Sequence, residues 1–210
     1  FPTITERYIK TGIGSFGVFP NKNIKPESSW NGEIGIKQGL KFGKIYGYLD
    51  IAGFWQEYKN TIEYLFGFWG TDFSNPNGLA GFKFVNTGNS RVVGIDVSFS
   101  GKAKIGKKTE MTFMTGYNYI VPKTLNPDYI YAYDNGLVPK PYSYNSTSLD
   151  SASQILKYRF LHNVKADFEI TVNKKFSIGM SVKYFSKIVN MDRVISDFED
   201  LTQQFPKMQN

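Results

Sequence analysis

Hydrophobic and polar positions alternate along most of this chain. Trp30, Gly32, Ile34 and Ile36 interleave with Asn31, Glu33, Gly35 and Lys37. After a turn over Gly39 to Lys44, Ile45, Leu49, Ile51 and Trp55 fall on one side, and Tyr48, Asp50, Ala52 and Gln56 on the other. Successive side chains of a strand point to opposite faces, so a period of two predicts two-sided strands. The pattern predicts about six of them: Trp30 to Lys37, Ile45 to Tyr64, Phe82 to Ser100, Glu110 to Ile120, Leu156 to Val172, and a last run from Phe176 to Tyr184. The stretches before Ser28, from Leu65 to Gly81 and from Val121 to Gln154 are rich in Gly, Pro, Asn and Ser and read as loops. In the tail, Val194, Ile195, Phe198 and Leu201 recur at helical spacing and predict a short helix from Asp192 to Gln204.

The connections between strands run short, long, short, long, short. Bacterial outer-membrane barrels pair short periplasmic turns with long extracellular loops. That assignment puts the turns at Gly39, Gly101 and Asn173 in the periplasm, and the loops at Leu65 and Val121 outside. Trp30, Trp55, Tyr58, Phe84, Tyr117, Tyr119, Tyr158, Phe160 and Tyr184 then fall near the loop ends of the strands, where an aromatic girdle belongs. The polar parity supplies a lumen-facing set: Glu33, Lys37, Asp50, Gln56, Asp96, Asn118, Arg159, Lys165, Asp167, Glu169 and Lys183. Such a set can line a passage or grip a plug, or form a wall of mutually neutralising charges. The alternative fold is a soluble antiparallel sheet with its apolar side on a core.

Composition narrows the choice. Aromatic residues make up 17% of 210 residues, which suits strands and membrane interfaces. The chain has no cysteine and one histidine, so disulfides, thiolate metal sites and His-rich metal sites are excluded, and no cofactor is expected. No apolar run reaches the roughly 18 residues of a membrane-crossing helix. The net charge of +7 is spread along the sequence without an aromatic-interleaved basic patch, which argues against a nucleic-acid partner. The fold class expected is all-β: an antiparallel transmembrane β-barrel segment. Six strands cannot close a membrane barrel, since known ones begin at about 8. Residues 1–210 are therefore expected to be part of a single outer-membrane barrel, with its plug domain and closing strands outside this chain.

Phe1-Pro2-Thr3-Ile4-Thr5-Glu6-Arg7-Tyr8 resembles a loop segment of TonB-dependent outer-membrane receptors that often reads Phe-Pro-Thr-Leu-x-Glu-Arg-Tyr. Asn23-Ile24-Lys25-Pro26-Glu27 is similar to their Asn-Leu-Lys-Pro-Glu motif, and Trp30-Asn31-Gly32-Glu33-Ile34-Gly35 to the strand after it. Phe84-Val85-Asn86-Thr87-Gly88 with Val93-Gly94-Ile95-Asp96 resembles a later strand of the same barrels. The flavour is that of the Bacteroidetes branch. The resemblance implies a Gram-negative outer-membrane receptor importing a large nutrient such as a ferric siderophore, haem or cobalamin. It implies partners too: the lipid bilayer and lipopolysaccharide, the rest of the barrel and plug, TonB, and a surface lipoprotein. The alternative function is a passive porin or adhesin-like barrel. Pro26 fixes its own φ and biases Lys25 toward extended geometry, setting the descent from loop to strand, and Glu27 reads as a loop hydrogen-bond acceptor rather than a ligand residue.

Ligand contact is expected in the long loops, at Tyr129, Tyr131, Tyr133 and Asp134, with Phe68 and Trp69 as further candidates beside Phe66, Tyr142 and Tyr144. Tyrosine offers a large rigid surface with a polar tip; packing of loop on loop is the competing role. His162 lies on the apolar parity and Ser186 is predicted opposite it. A Ser-His pair on the outward face resembles that of outer-membrane phospholipase. The sequence offers neither the orienting group nor the oxyanion site such catalysis needs, so no enzyme is expected.

Overall fold

In the computed structural model, residues 2–13, 16–72, 74, 76–135 and 138–195 are described. The elements in chain order are α1 (Ile4–Tyr8), β1 (Thr11–Ile13), β2 (Phe16–Phe19), β3 (Ser28–Phe42), β4 (Ile45–Lys59), β5 (Ile62–Phe68), α2 (Pro76–Leu79), β6 (Ala80–Asn86), β7 (Ser90–Lys104), β8 (Thr109–Thr124), β9 (Ala132–Tyr133), β10 (Pro141–Tyr142), α3 (Tyr144–Thr147), β11 (His162–Val172) and β12 (Phe176–Phe185). Six of the strands form one sheet in the order β12-β11-β8-β7-β4-β3, antiparallel throughout. We call it the wall. Strands β3 and β4 are 15 residues each and β11 is 11, where about 9–11 tilted residues suffice to cross a bilayer.

Register keeps the two faces unmixed across the wall. Ile36 pairs with Ile51, Ile51 with Val97, Val97 with Tyr117, Tyr117 with Val164 and Val164 with Tyr184. The adjacent row runs Lys37, Asp50, Ser98, Gly116, Lys165, Lys183. The apolar face is uncovered: Ile34 is 82% exposed, Ile36 70% and Ile178 63%. A soluble sheet would bury that face against a core. A patch of this extent instead marks contact with lipid. No described helix is long and apolar enough to cross a membrane.

Tight turns join the wall strands. Gly43 at φ +58 opens the two-residue β3–β4 turn, a position where a Cβ is strained and glycine suits a type II′ hairpin. This turn is tighter than the sequence suggested, because the alternation runs on to Phe42 and resumes at Ile45. Asn173 and Lys174, both left-handed at φ 55 and 56, open the β11–β12 turn.

Above the wall lies a second layer, the cap. Its four-stranded sheet has the order β1-β2-β6-β5, with β2 and β6 parallel. Here the sequence expectation needs correction. Leu65 to Gly81 is not a loop: β5 runs to Phe68, and β6 begins at Ala80. Residues 1–28 and 121–154 likewise hold short elements, from α1 to β2 and from β9 to α3. The predicted strands Ile45 to Tyr64 and Phe82 to Ser100 each break, at Asn60 (φ 55) and around Gly88 (φ +94). Pairing still crosses the break, since the Thr61 N–H donates to the Gly88 carbonyl and the Thr87 N–H to the Thr61 carbonyl. The fifth wall strand starts at His162, not Leu156. The predicted tail helix, Asp192 to Gln204, lies mostly outside the described residues.

Candidate functional site

Two of the family-like motifs, Asn23 to Glu27 and Phe84 to Gly88, meet at the break. Asn86 accepts from the Lys25 N–H (2.8 Å) and donates to the carbonyls of Lys25 (3.0 Å) and Asn60 (2.8 Å). Glu27 accepts from the Ile62 N–H at 2.7 Å, and Ile24 is buried. Glu27 therefore does the loop bonding expected of it: it supplies an acceptor to the first amide of β5. In the motif from Phe1 to Tyr8, Thr3 and Glu6 form a reciprocal capping box at the start of α1, each side chain binding the other's backbone N–H.

The cap core joins Phe19, Leu65, Trp69, Val85 and Tyr142, with Tyr131, Ala132 and Tyr158 packed against it. Beside it sits an ion pair without access to water. Lys157 is 2% exposed and Asp192 1%. The ammonium donates to Asp192 Oδ1 and to Thr147 Oγ1, each at 2.5 Å. The other carboxylate oxygen accepts from Tyr158 OH (2.7 Å) and the Phe66 N–H (2.9 Å). One carboxylate thus ties together β5, α3, the approach to β11 and the chain after β12. Burial lowers the Lys157 pKa against the pull of Asp192, and burial with the neighbouring Asp192 charge raises that of the Tyr158 hydroxyl. Asn190, equally buried, donates to Tyr144 OH and the Ile155 carbonyl. Glu63 pairs with Arg159 at 2.6 Å, yet burial pushes its carboxyl up to about 7 against the opposing Arg159 and Lys157 charges.

These contacts revise several expected roles. Tyr158 is not a girdle residue: it takes a left-handed φ of 58 and turns its hydroxyl inward to Asp192. Arg159 is not on the wall; it leaves Tyr158 toward Glu63 in the cap. Trp69 is 6% exposed, edge-on to Tyr142 at 5.2 Å with the Lys83 ammonium over its ring, so it packs loop on loop. Tyr131 donates or accepts at Thr147 and is half-buried. Phe68 ends β5, its N–H on the Tyr142 hydroxyl. Tyr129 and Tyr133 do reach solvent, 48% and 57% exposed. Asp134 lies between them and the Lys140 N–H, which it accepts at 2.9 Å. The buried network itself was missed; only the charged residues inside an apolar-looking stretch, Glu63 and Lys157, hinted at it.

On the wall the expected polar set comes together. A trough of about 920 Å³ on the polar side is lined by Glu33, Lys37, Asp50, Asp96, Asn118 and Lys165 among others. Its charges are matched: Lys37 lies 3.2 Å from Asp50 across strands, Lys165 lies 2.9 Å from Asp167, and Asn118 donates to Asp96 at 2.6 Å. Ser181 also hydrogen-bonds Asp167. On the opposite side, Trp30, Trp55 and Tyr184 are exposed and Tyr117 and Tyr119 partly so. Arg91 covers the Trp55 ring at 4.3 Å while bonding Glu57.

The Ser-His arrangement does not form. His162 Nδ1 bonds Tyr117 OH at 2.9 Å and its ring stacks on Tyr119. Ser186 Oγ is taken by the N–H groups of Leu161 and His162. It closes the strand end and activates nothing. Among the described residues no group of His, Cys, Asp and Glu could hold a metal ion.

The arrangement can therefore do three things: present apolar surface to lipid, turn a charge-balanced polar face the other way, and hold a packed outer layer above it. The family model "TonB dependent receptor-like, beta-barrel" matches residues 1–197. No curated protein matches the chain.

Proposed function

The chain belongs to the TonB-dependent receptor β-barrel family, and from that premise we propose that its wall is one section of a larger closed barrel importing a large, scarce nutrient. The family is one of transport receptors of the Gram-negative outer membrane that act with TonB, and not of enzymes. The observation that carries the reading is the unbroken segregation of faces across six strands, greasy on one side and charge-paired on the other. Edges β3 and β12 have no further partner among the described residues. Unpaired backbone in hydrocarbon costs several kcal/mol per group, so further strands continue the sheet on both sides.

Glu33, Asp50, Asp96, Lys165 and Asp167 line the passage. Trp30, Trp55, Tyr117, Tyr119 and Tyr184 form the outer girdle, where the surrounding lipid is lipopolysaccharide. Ligand capture falls to Tyr129, Tyr133 and Asp134 at the rim, because they keep solvent access while Trp69 and Tyr131 hold the cap. The substrate class is a ferric siderophore, haem or cobalamin, whose large mixed polar and apolar surfaces suit the broad, polar-tipped ring of tyrosine. The test is binding of such a panel to the complete receptor, followed by uptake into cells. Tyr129→Ala/Tyr133→Ala should weaken binding at least tenfold with the cap intact. Uptake that persists without TonB would replace this reading by a passive pore.

A further inference from the structure

We propose that the three short turns of the wall form one anionic-phospholipid site on the periplasmic leaflet, with Lys44, Lys107, Lys108, Lys174 and Lys175 gripping headgroup phosphates. The inference rests on the membrane placement given above. Along the sequence these lysines are far apart; in the structure they are neighbours. The turns are bonded to one another: the Lys104 N–H donates to the Lys44 carbonyl at 3.2 Å, and the Asn173 N–H to the Lys108 carbonyl at 2.7 Å. A continuous rim results, and all five lysines on it are exposed.

The charge is concentrated there to an unusual degree. Lys41, Lys102 and Lys104 join the five turn lysines on the last rows of the strands, against the carboxylates of Glu110 and Glu169 alone. That surplus of six stands in a chain whose net charge is +7. Among the described residues none of the five turn lysines has an ion pair. Higher on the wall, opposite charges meet in pairs, as at Lys37–Asp50 and Lys165–Asp167. Like charges crowded on one edge repel, so a rim of this kind calls for a counter-charge from outside the chain.

Depth selects phospholipid as the source. Phe42, Ile45, Ile105 and Phe176 are exposed apolar residues flanking the same turns, 64%, 38%, 58% and 64% exposed. With these in hydrocarbon, a lysine one to three residues beyond stands roughly 2–7 Å further out, given the rise of a tilted strand. The headgroup layer is about 5–8 Å thick on each side. The ammonium groups therefore sit among phosphates rather than in the open periplasm, where an acidic protein would meet them.

The test uses the complete receptor reconstituted in vesicles, with spin-labelled phosphatidylglycerol and phosphatidylethanolamine as probes of relative association. Each lysine engaged near an anionic surface contributes about fivefold, so phosphatidylglycerol should be preferred at least about fivefold, and 1 M salt should abolish the preference. Changing all five turn lysines to Gln should abolish it too, and changing them to Arg should keep it. Lys10→Gln/Lys22→Gln/Lys140→Gln, at the other end of the molecule, should leave it unchanged. Equal association of the two lipids with the unmodified protein overturns the proposal, and so does a preference that survives in the five-glutamine protein. A rim that binds an acidic periplasmic peptide and shows no lipid preference is a protein-docking surface, and also overturns it. Heat-dependent electrophoretic migration reports whether the variant barrels fold; if the five-glutamine protein does not, the salt dependence of the unmodified protein decides. Nutrient uptake is scored separately, so failure of the receptor reading and failure of this one are distinguishable.

Discussion

Breaking the Lys157–Asp192 pair should loosen the cap and leave the wall intact. Asp192→Asn removes the counter-charge from an ammonium that is 2% exposed. Removing one partner of a buried pair costs about 3–5 kcal/mol, because the remaining charge must be desolvated alone or give up its proton. Burial already lowers the Lys157 pKa, and without the Asp192 charge the variant should give up that proton more readily still. Free energy of that size corresponds to opening of the cap made roughly 10²- to 4 × 10³-fold more frequent. The measurement is amide hydrogen exchange: protection in β5 and α3 should fall by that factor, while β7, β8 and β11 keep theirs. Lys157→Met should do similar damage, by stranding the carboxylate. The double variant Lys157→Met/Asp192→Asn should be better protected than either single one. It buries no net charge, and its amide oxygen still accepts from the Phe66 N–H, a bond of 2.9 Å in the parent. A coupling between the two positions below about 0.5 kcal/mol would refute the claim that this pair holds the layers together.

Three further outcomes follow from the geometry. Glu63 holds its proton more tightly in the folded cap, at about 7 against 4.5 unfolded, so cap stability should fall as pH rises between those values, by about 3 kcal/mol in all; Glu63→Gln should flatten that slope in exchange measured from pH 5 to 8, and an unchanged slope would assign it to another group. Leu49→Lys, on the apolar face near mid-strand, should cost about 2–4 kcal/mol of barrel stability in refolding titrations, whereas Ser98→Lys, on the polar face opposite Asp50, should cost less than about 1 kcal/mol. Glu27→Ala leaves the Ile62 N–H without its 2.7 Å acceptor and should cost about 1–3 kcal/mol in local protection at the start of β5, with no change in barrel assembly.

The wall was legible in the sequence because its determinant is local. Period two and the lipid–water contrast fix each strand's sides whatever its neighbours are, and Ile36, Val97 and Tyr184 fall in one row as alternation requires. The cap was not legible, because its bonds are distant in sequence. Glu63 and Arg159 lie 96 positions apart, and Phe66 and Asp192 lie 126 apart. Tyr158 was misplaced by one backbone torsion: a left-handed residue ends the strand pattern without changing the spacing of aromatic residues around it. Tyr129 and Tyr133 were separable from Tyr131 only by the packing of Thr147 and Tyr142 against the last.

The bent ribbon of β4–β5 and β6–β7 explains why a correct pattern led to an incorrect neighbour. Its register is the same on both sides of the break: Tyr58 pairs with Ser90 below it, and Ile62 with Asn86 above it, with equal numbers of residues between. Alternation therefore continues unbroken through Asn60. Below the break the odd positions, such as Ile51 and Trp55, face lipid. Above it the odd positions Glu63 and Leu65 are 4% and 2% exposed, against Val85, Lys157 and Tyr131. The even positions Tyr64 and Phe66 meet Phe82, the first stacked at 4.8 Å and the second edge-on at 5.1 Å. One hairpin thus passes from a membrane into a protein layer without a change of pattern, because lipid and protein core exert the same demand on a side chain: that it be apolar. Charge marks the difference. A carboxylate on the apolar parity is costly in hydrocarbon and sustainable beside an arginine, so Glu57 with Arg91 at the end of β4, and then Glu63 with Arg159 in β5, record where the bilayer is being left behind.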